Sequence, residues 1–248
     1  MKNRNANKAV SMTTTVFAGA GLLFLATALP ASEDGELTLY DKTIGEWSAG
    51  WWQWQEENYP DFAFGDGRVD CALGQSGPVW YLGGTGGGVA ERKCHAPIGE
   101  HKHLMFPLVN ANMFNPDDWC TAMFGEPNCS VEQKREIMDG LFSEIPAGIF
   151  NSTACVLQAE VDGVPVVYST PIVRTQSPPF EYAGDPETVA DGFWVILSPL
   201  SKGKHRIHFT GGICDIDTGD VLFSVDVSYE LTVKPRRKGK HDHDHDDD

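Results

Sequence analysis

The segment Phe223-Ser-Val-Asp-Val-Ser-Tyr-Glu-Leu-Thr-Val233 decides the fold class of this chain. Apolar side chains occupy every second position of the segment, and polar side chains occupy the positions between them. A period of two predicts a β-strand with one buried face and one face in water. We therefore expect a sheet that buries its apolar face against a second layer of structure.

Further segments have strand character, and clusters of glycine and proline separate them. Two of these segments flank Asp162-Gly163, a dipeptide typical of tight hairpin turns. The expected strands are Pro78–Leu82, His101–Val109, Ala154–Val161, Val164–Ser169, Gly192–Leu197 and Lys204–Thr210. Many short strands with few helices predict a mainly β protein, an antiparallel β-sandwich or jelly roll.

Two helices are expected beside the strands. The first is rich in tryptophan and ends at Asn58-Tyr59-Pro60, because a proline cannot continue it. Its apolar residues recur at three- and four-residue steps, which places them on one buried face: Leu37, Tyr40, Ile44, Trp47, Trp51 and Trp54. The second helix is short and runs from Ser130 to Ile145, with a capping box formed by Ser130 and Gln133.

The N-terminus has the pattern of a secretory signal peptide over residues 1–31. Basic residues precede an uncharged apolar stretch, residues 16–29, and small residues between Ala28 and Ala31 offer the cleavage site. The apolar stretch is too short for a comfortable membrane span, and no second such stretch follows. We therefore expect a secreted or periplasmic protein with no membrane span in the mature chain.

Six cysteines follow the signal, and an even number in an exported chain predicts disulfides. Six cysteines allow 15 connectivities, so pairing does not follow from the sequence. We favour three pairs, which join a short loop, neighbouring strands and two late strands: Cys120–Cys129, Cys71–Cys94 and Cys155–Cys214. A zinc site is the rival interpretation, but no Cys-x-x-Cys spacing supports it.

The segment 32–233 is long enough for one domain with a real core, and it is strongly acidic. Eleven lysines and arginines stand there against thirty aspartates and glutamates, whereas the whole chain has a formal charge of −16. This charge repels phosphate backbones and argues against nucleic acid as a partner. Residues 234–248 form a basic and then His/Asp-rich tail that we expect to be disordered.

Four segments together carry a resemblance. They are Cys71-Ala-Leu-Gly-Gln-Ser-Gly-Pro-Val-Trp80, Cys94-His-Ala-Pro-Ile-Gly99, Phe106-Pro-Leu-Val-Asn110 and the Trp-rich stretch from Trp47 to Trp54. As a set they resemble a group of uncharacterised secreted bacterial proteins. The resemblance implies an exported globular protein, but it implies no activity and carries over no catalytic residue.

The sharpest candidate site is a metal site. On a strand, His101, His103 and Met105 share one face, and the opposite, apolar face is expected to be core. Imidazole and thioether ligands suit copper, and imidazole also suits zinc. His95 and His208 could join from neighbouring strands. The alternative is a set of surface residues on a face in water.

Two further ion sites are weaker. The tail histidines His241, His243 and His245 alternate with carboxylates and could hold a metal loosely. The loop Asp215–Asp220 is rich in carboxylates and resembles a calcium loop, but it lacks the glutamate that an EF-hand needs. A plain turn between strands is the favoured interpretation of that loop.

The leading functional hypothesis is an exported binding protein whose ligand is an extracellular or cell-surface glycan. Trp52 lies off the buried stripe of the first helix, so it is the tryptophan that could stack on a sugar ring. The alternatives are a copper- or zinc-binding protein or metal-dependent enzyme, and a secreted polysaccharide-degrading enzyme with a carboxylate pair. Sequence alone does not choose such a pair among thirty acids.

Overall fold

The computed structural model describes residues 30–31, 35–59, 65–114, 117–143, 150–166 and 172–235. Nearly all of the expected signal peptide and the tail histidines lie outside the described residues. No helix in these ranges is long and apolar enough to cross a membrane.

Three helices and fourteen strands make up the described residues. The helices are α1 Ile44–Asn58, α2 Asp117–Phe124 and α3 Val131–Phe142. The strands are β1 Thr38–Leu39, β2 Lys42–Thr43, β3 Gly67–Val69, β4 Val79–Tyr81, β5 Gly88–Cys94, β6 Ile98–Gly99, β7 His103–Met113, β8 Ser152–Val161, β9 Val164–Pro165, β10 Ile172–Gln176, β11 Phe180–Tyr182, β12 Asp185–Leu197, β13 Gly203–Asp215 and β14 Val221–Lys234.

The strands form two main sheets, and the β-sandwich prediction is confirmed. One sheet has the order β3-β5-β14-β13-β8-β9, with β6 beside β14. The other has the order β10-β12-β7-β4, with β11 beside β12. The long central pairs β13–β14, β8–β13 and β7–β12 are antiparallel, whereas β4, β5 and β6 join as parallel strands.

The main core lies between the two sheets. The segment that decides the fold class forms most of β14, and its side chains from Val225 to Val233 are buried at every second position, as predicted. They pack in one apolar cluster with Phe106 and Leu108 of β7 and with Phe209 of β13. Burial of this continuous apolar face is the main force that holds the two sheets together.

Helix α1 covers the outer face of the smaller sheet. Trp51 and Trp54 pack there against Trp194 of β12 and Met105 of β7, so the prediction that the tryptophan stripe belongs to the core is confirmed. The predicted start of the helix was wrong, because the helix begins at Ile44. Two of the predicted helix residues precede it: Leu37 lies just before the small β1–β2 hairpin, and Tyr40 lies in the turn of that hairpin.

The late start of α1 has a local cause. The Thr43 hydroxyl accepts a hydrogen bond from the Glu46 amide at 3.1 Å, and the Glu46 carboxylate accepts one from the Thr43 amide at 2.7 Å. This reciprocal pair is a capping box, which satisfies two amides at the first turn of a helix. Just upstream, Tyr40 and Asp41 both have positive φ and form the turn of the β1–β2 hairpin.

The other two helices differ in how well the sequence predicted them. For α3, the cap at Ser130 and the capping box with Gln133 are confirmed. Helix α2 was missed, because it has eight residues and a single buried side chain, Cys120, so it has no apolar stripe. A disulfide from Cys120 to Cys129 ties it to the segment that precedes α3.

All three favoured disulfides are confirmed. The Cα–Cα distances are 5.4 Å for Cys71–Cys94, 5.5 Å for Cys120–Cys129 and 5.9 Å for Cys155–Cys214. These distances lie in the ordinary range for disulfides. No free cysteine stands among the residues that the structure describes, so the zinc interpretation of the cysteines is wrong.

Candidate functional site

A polar cleft lies where α3 packs over the edge of the smaller sheet. The helix buries Ile137, Met138 and Phe142 against that sheet and turns its charged residues toward the rim. The open space has a volume of about 460 Å³. Its lining is entirely polar or charged: Arg135, Glu136, Asp139, Arg174, Thr175, Gln176 and Asp191.

Asp191 is the buried anchor of this cleft. Its side chain is 0% exposed and accepts four hydrogen bonds. Oδ1 accepts from Arg174 Nε at 3.3 Å and from the Gly192 amide at 2.7 Å, and Oδ2 accepts from Arg174 Nη2 at 2.8 Å and from Gln176 Nε2 at 3.2 Å. Burial raises the pKa of Asp191 above its ordinary value, and these donors oppose the rise without cancelling it.

Arg174 links the buried carboxylate to the helix. Its Nη2 donates to Asp139 Oδ1 of α3 at 2.8 Å while it also donates to Asp191 Oδ2 at 2.8 Å. Burial lowers the pKa of Arg174, but the hydrogen bonds and charges of Asp191 and Asp139 outweigh burial and raise it. The guanidinium is therefore a fixed cation that holds α3 to β10 and β12.

Arg135 and Gln176 form a second link across the same interface. Arg135 donates from Nη1 to Gln176 Oε1 at 3.2 Å and from Nη2 to the Ser177 carbonyl at 2.8 Å. Gln176 returns a hydrogen bond from Nε2 to the Arg135 carbonyl at 3.0 Å. These bonds hold the cleft walls in one geometry without a ligand, which lowers the entropy cost of binding.

Several polar atoms of the cleft remain open. Within the described residues, Arg174 Nη1, Asp139 Oδ2 and both carboxylate oxygens of Glu136 make no hydrogen bond. The Asp139 side chain is 58% exposed, so its remaining oxygen is accessible to a ligand. The cleft thus presents an uncommitted donor and uncommitted acceptors together, on walls that are already held in place.

The expected metal face is not a surface in water. Met105 is 0% exposed, because α1 packs over that face of β7. His103 is half-buried and its Nδ1 lies 2.9 Å from the Tyr40 hydroxyl, while His101 is exposed in the turn before the strand. Burial lowers the pKa of His103. The structure therefore does not bring these three residues together as accessible ligands, and the prediction of a strand face in water was wrong.

The two histidines that were expected to join them are elsewhere. His95 lies 3.6 Å from Asp70, and His208 stands on the larger sheet, on the face opposite its core. The two ring nitrogens of His208 face different carboxylates, Asp226 at 2.8 Å and Glu160 at 3.6 Å. Among the described residues, no three His, Cys, Asp or Glu side chains form a group that could hold a metal.

Trp52 is also not available as an exposed sugar platform. It is 4% exposed and packs edge-on against Trp51 and Tyr182, with ring centroids 5.1 and 5.6 Å apart. The prediction failed because β11 also packs against α1 and buries Trp52 with Tyr182 and Phe180. The exposed aromatic on a helix is instead Trp119 of α2, which is 45% exposed and stacks on Phe150 at 5.4 Å.

The carboxylate-rich loop 215–220 is a turn between β13 and β14, as favoured. Asp215 Oδ1 accepts from the amides of Asp217 and Thr218 at 3.0 and 2.8 Å. The Thr218 amide in particular lowers the pKa of Asp215. Asn151 Nδ2 donates to both Asp215 and Asp217, so the carboxylates already have partners within the protein.

A second cavity is too small to be a ligand site. It lies beside Arg92 and Tyr229 and has a volume of about 10 Å³, room for one water at most. Arg92 is buried there and donates to the carbonyls of Gly83 and Gly84 at 2.8 and 2.9 Å. The glycine-rich loop that starts at Gly83 is therefore held by an arginine inside the protein.

None of the residues that line the cleft was predicted from the sequence as a site residue. One signal was available: Asp191 interrupts an otherwise apolar run from Val189 to Leu197, and a charge in the middle of a buried strand needs a partner. The partner, Arg174, is 17 residues upstream and no local pattern marks it. Comparisons with protein families, with curated proteins and with solved structures found no match for this chain.

Proposed function

We propose that this protein is an exported binding protein that recognises the hydroxyl groups of an extracellular or cell-surface glycan in the cleft beneath α3. One observation carries the proposal: within the described part of the chain, Arg174 Nη1, Asp139 Oδ2 and the Glu136 carboxylate make no hydrogen bond, and they line an open cleft of about 460 Å³. A volume of this size suits a few sugar units or another small polar ligand.

The match between the cleft and a sugar rests on hydrogen-bonding capacity. A hydroxyl group both donates and accepts, so it pairs with a carboxylate and a guanidinium at the same time. Neighbouring hydroxyls of a sugar ring present two such groups to the planar donors and acceptors of the cleft. The Arg174–Asp191 pair holds the guanidinium in place before the ligand arrives, which favours affinity.

The proposed place of action is outside the cytoplasm. The three disulfides fit an oxidising compartment. The basic residues, apolar stretch and small residues of positions 1–31 supply the pattern of an export signal. Secretion or export to a periplasm would expose the cleft to surface and extracellular glycans.

Hydrolysis of the glycan is the second candidate, and one distance favours it. Asp139 Oδ1 and Asp191 Oδ2 each lie 2.8 Å from Arg174 Nη2, so the two oxygens are no more than twice that distance apart. The two catalytic carboxylates of a retaining glycosidase have a similarly short separation. However, the guanidinium stands between them and donates a hydrogen bond to each, which leaves no space for the glycosidic oxygen. The Asp191 side chain is also fully buried, so we place binding first.

The test is a glycan array probed with the mature, oxidised protein, with a parallel assay for released sugar. The variants Glu136→Gln and Asp139→Asn alter exposed cleft groups, and Glu132→Gln is the matched control, an exposed glutamate one turn earlier on α3 outside the cleft. We expect binding by the wild type and the control and at least a tenfold loss in both cleft variants. Released sugar would move the hydrolytic candidate to first place.

Two outcomes would reject the cleft as the site. Binding to no glycan would overturn the proposal as a whole. Binding that survives both cleft variants but is lost in Trp119→Ala would transfer the site to the exposed Trp119–Phe150 pair. Copper and zinc binding by His101 and His103 stays a separate prediction, and metal analysis of the wild type beside a His101→Ala/His103→Ala variant would check it.

A further inference from the structure

We infer that the glycan bound in this cleft carries free amino groups, so the protein selects a cationic amino-sugar polymer over neutral or acidic glycans. This inference rests on the proposed function, because it names the ligand class of the same cleft. It follows from the charges that remain in the cleft once its internal pairs are made, and from the charge of the protein around it.

The side chains that line the cleft determine its local charge. The single positive charge of Arg174 pairs with two carboxylates, Asp191 and Asp139. Both terminal nitrogens of Arg135 donate to neutral acceptors, the Gln176 amide oxygen and the Ser177 carbonyl. Glu136 and Arg135 add one charge of each sign, so the cleft lining has a net negative charge.

The next cation along the helix does not change this balance. Lys134 Nζ lies 2.8 Å from Asp185 Oδ2 and 3.1 Å from the Glu187 carbonyl, and its side chain is only 5% exposed. Its charge is therefore paired inside the protein and does not face the cleft. An incoming anion such as a uronate or a sulfate would find no open ammonium there.

The protein around the cleft is also strongly acidic. Eleven basic residues stand against thirty acidic residues between positions 32 and 233. A field of this sign attracts cations toward a cleft and repels anions, and it raises the association rate of a cationic ligand. Acidic glycans are therefore disfavoured both at a distance and at the site.

The open acceptors of the cleft are two carboxylates on the same helix. Glu136 and Asp139 are three residues apart on α3, and residues at this spacing share a helix face. An ammonium group has three N–H donors and no acceptor, so it can bridge two carboxylates while the ring hydroxyls of the same sugar reach the Arg174 guanidinium. An N-acetyl group removes this charge and two of these donors.

The experiment compares three oligosaccharides of equal length by titration calorimetry against the mature, oxidised protein. These are a β-1,4-glucosamine oligomer, its fully N-acetylated counterpart and a uronic acid oligomer, at a mildly acidic pH that keeps the amines protonated and the carboxylates ionised. We expect the amino oligomer to bind at least tenfold more tightly than the acetylated one at low salt. This preference should shrink as salt is added, because the charges are solvent-exposed.

Three variants distinguish specific binding in the cleft from non-specific electrostatic attraction to the acidic protein. Glu136→Gln and Asp139→Asn should each remove most of the preference for the amino oligomer, whereas Glu132→Gln makes the same charge change outside the cleft and should retain it. An equal loss in Glu132→Gln would mean non-specific attraction and would overturn the inference.

The remaining outcomes distinguish the inference from the function that it deepens. If the amino and acetylated oligomers bind equally and both need the cleft carboxylates, the inference fails and glycan binding stands. Preferential binding of the uronic acid oligomer also overturns the inference alone. If the wild type binds none of the three and no glycan on the array, both fail together.

Discussion

Arg174 and Asp191 join the edge strand β10 to its neighbour β12 through a two-pronged ion pair, 3.3 Å from Nε to Oδ1 and 2.8 Å from Nη2 to Oδ2. The carboxylate is fully buried, whereas the guanidinium side chain is 30% exposed. Because the same guanidinium also reaches Asp139 of α3, the pair fixes the helix relative to the sheet and shapes the cleft between them.

Replacing the cation should therefore destabilise the fold. In Arg174→Gln, the buried carboxylate of Asp191 loses its counter-charge, and we expect the free energy of unfolding to fall by about 3 kcal/mol. Urea unfolding followed by tryptophan fluorescence measures this change. Arg206→Gln is the control, because Arg206 is exposed and its side chain donates a long hydrogen bond of 3.4 Å to the Ser228 hydroxyl. It should change stability by less than about 0.5 kcal/mol. A similar effect of the two variants would contradict the role of the pair.

The raised pKa of Asp191 gives a pH dependence of defined sign. Between the unfolded and the folded pKa, the folded state binds a proton at Asp191 that the unfolded state lacks, so this group stabilises the fold as pH falls and the effect is lost as pH rises through the folded pKa. The unfolding free energy of the wild type minus that of Asp191→Asn should therefore increase when the pH is lowered from 7 to 4. A flat or opposite trend in urea unfolding at these pH values would exclude it.

Gly211 lies where β13 approaches the backbone of β7 closely. A Cβ atom at this position would overlap the carbonyl of Leu108 on the facing strand β7, and both partners are backbone that cannot turn aside. We expect Gly211→Ala to cost about 3 kcal/mol or more in thermal or urea unfolding. Gly86→Ala is the control, because nothing lies within 4 Å of its Cβ position; a large loss there would show that the effect is not steric.

Val156 is strained at a bulge in β8. Its φ is 53°, a left-handed conformation that is unfavourable for a β-branched residue, and its side chain is 48% exposed. Val156→Gly should therefore raise the unfolding free energy by about 0.5–1 kcal/mol, since relief of strain exceeds the added chain entropy.

The control for this variant has the opposite expected sign. Val164 is 47% exposed in β9 and has no positive φ, so Val164→Gly should lower stability. Differential scanning calorimetry of the two variants gives the comparison directly. A loss of stability in Val156→Gly would mean that the left-handed conformation carries no strain.

The sequence determined the features that local chemistry controls. Strict alternation from Phe223 to Val233 was enough to predict β14 and its buried face, because side chains of a strand point to opposite sides at a fixed period. The capping box at Ser130 predicted the start of α3, since both of its hydrogen bonds lie within one turn. The even number of cysteines predicted disulfides, and the three favoured pairs are confirmed, although the choice among 15 connectivities did not follow from the sequence.

Tertiary structure alone decided which faces are covered and which charges meet. The alternation at His101, His103 and Met105 is compatible with a face in water or a second buried face. The packing of α1 on the smaller sheet buries Met105, whereas His103 is half-buried and His101 lies exposed before the strand. The cleft likewise depends on Arg174 and Asp191, which belong to adjacent strands and have no shared local pattern. Local rules act over a few residues, whereas burial and ion pairing act through space, and no sequence spacing encodes them.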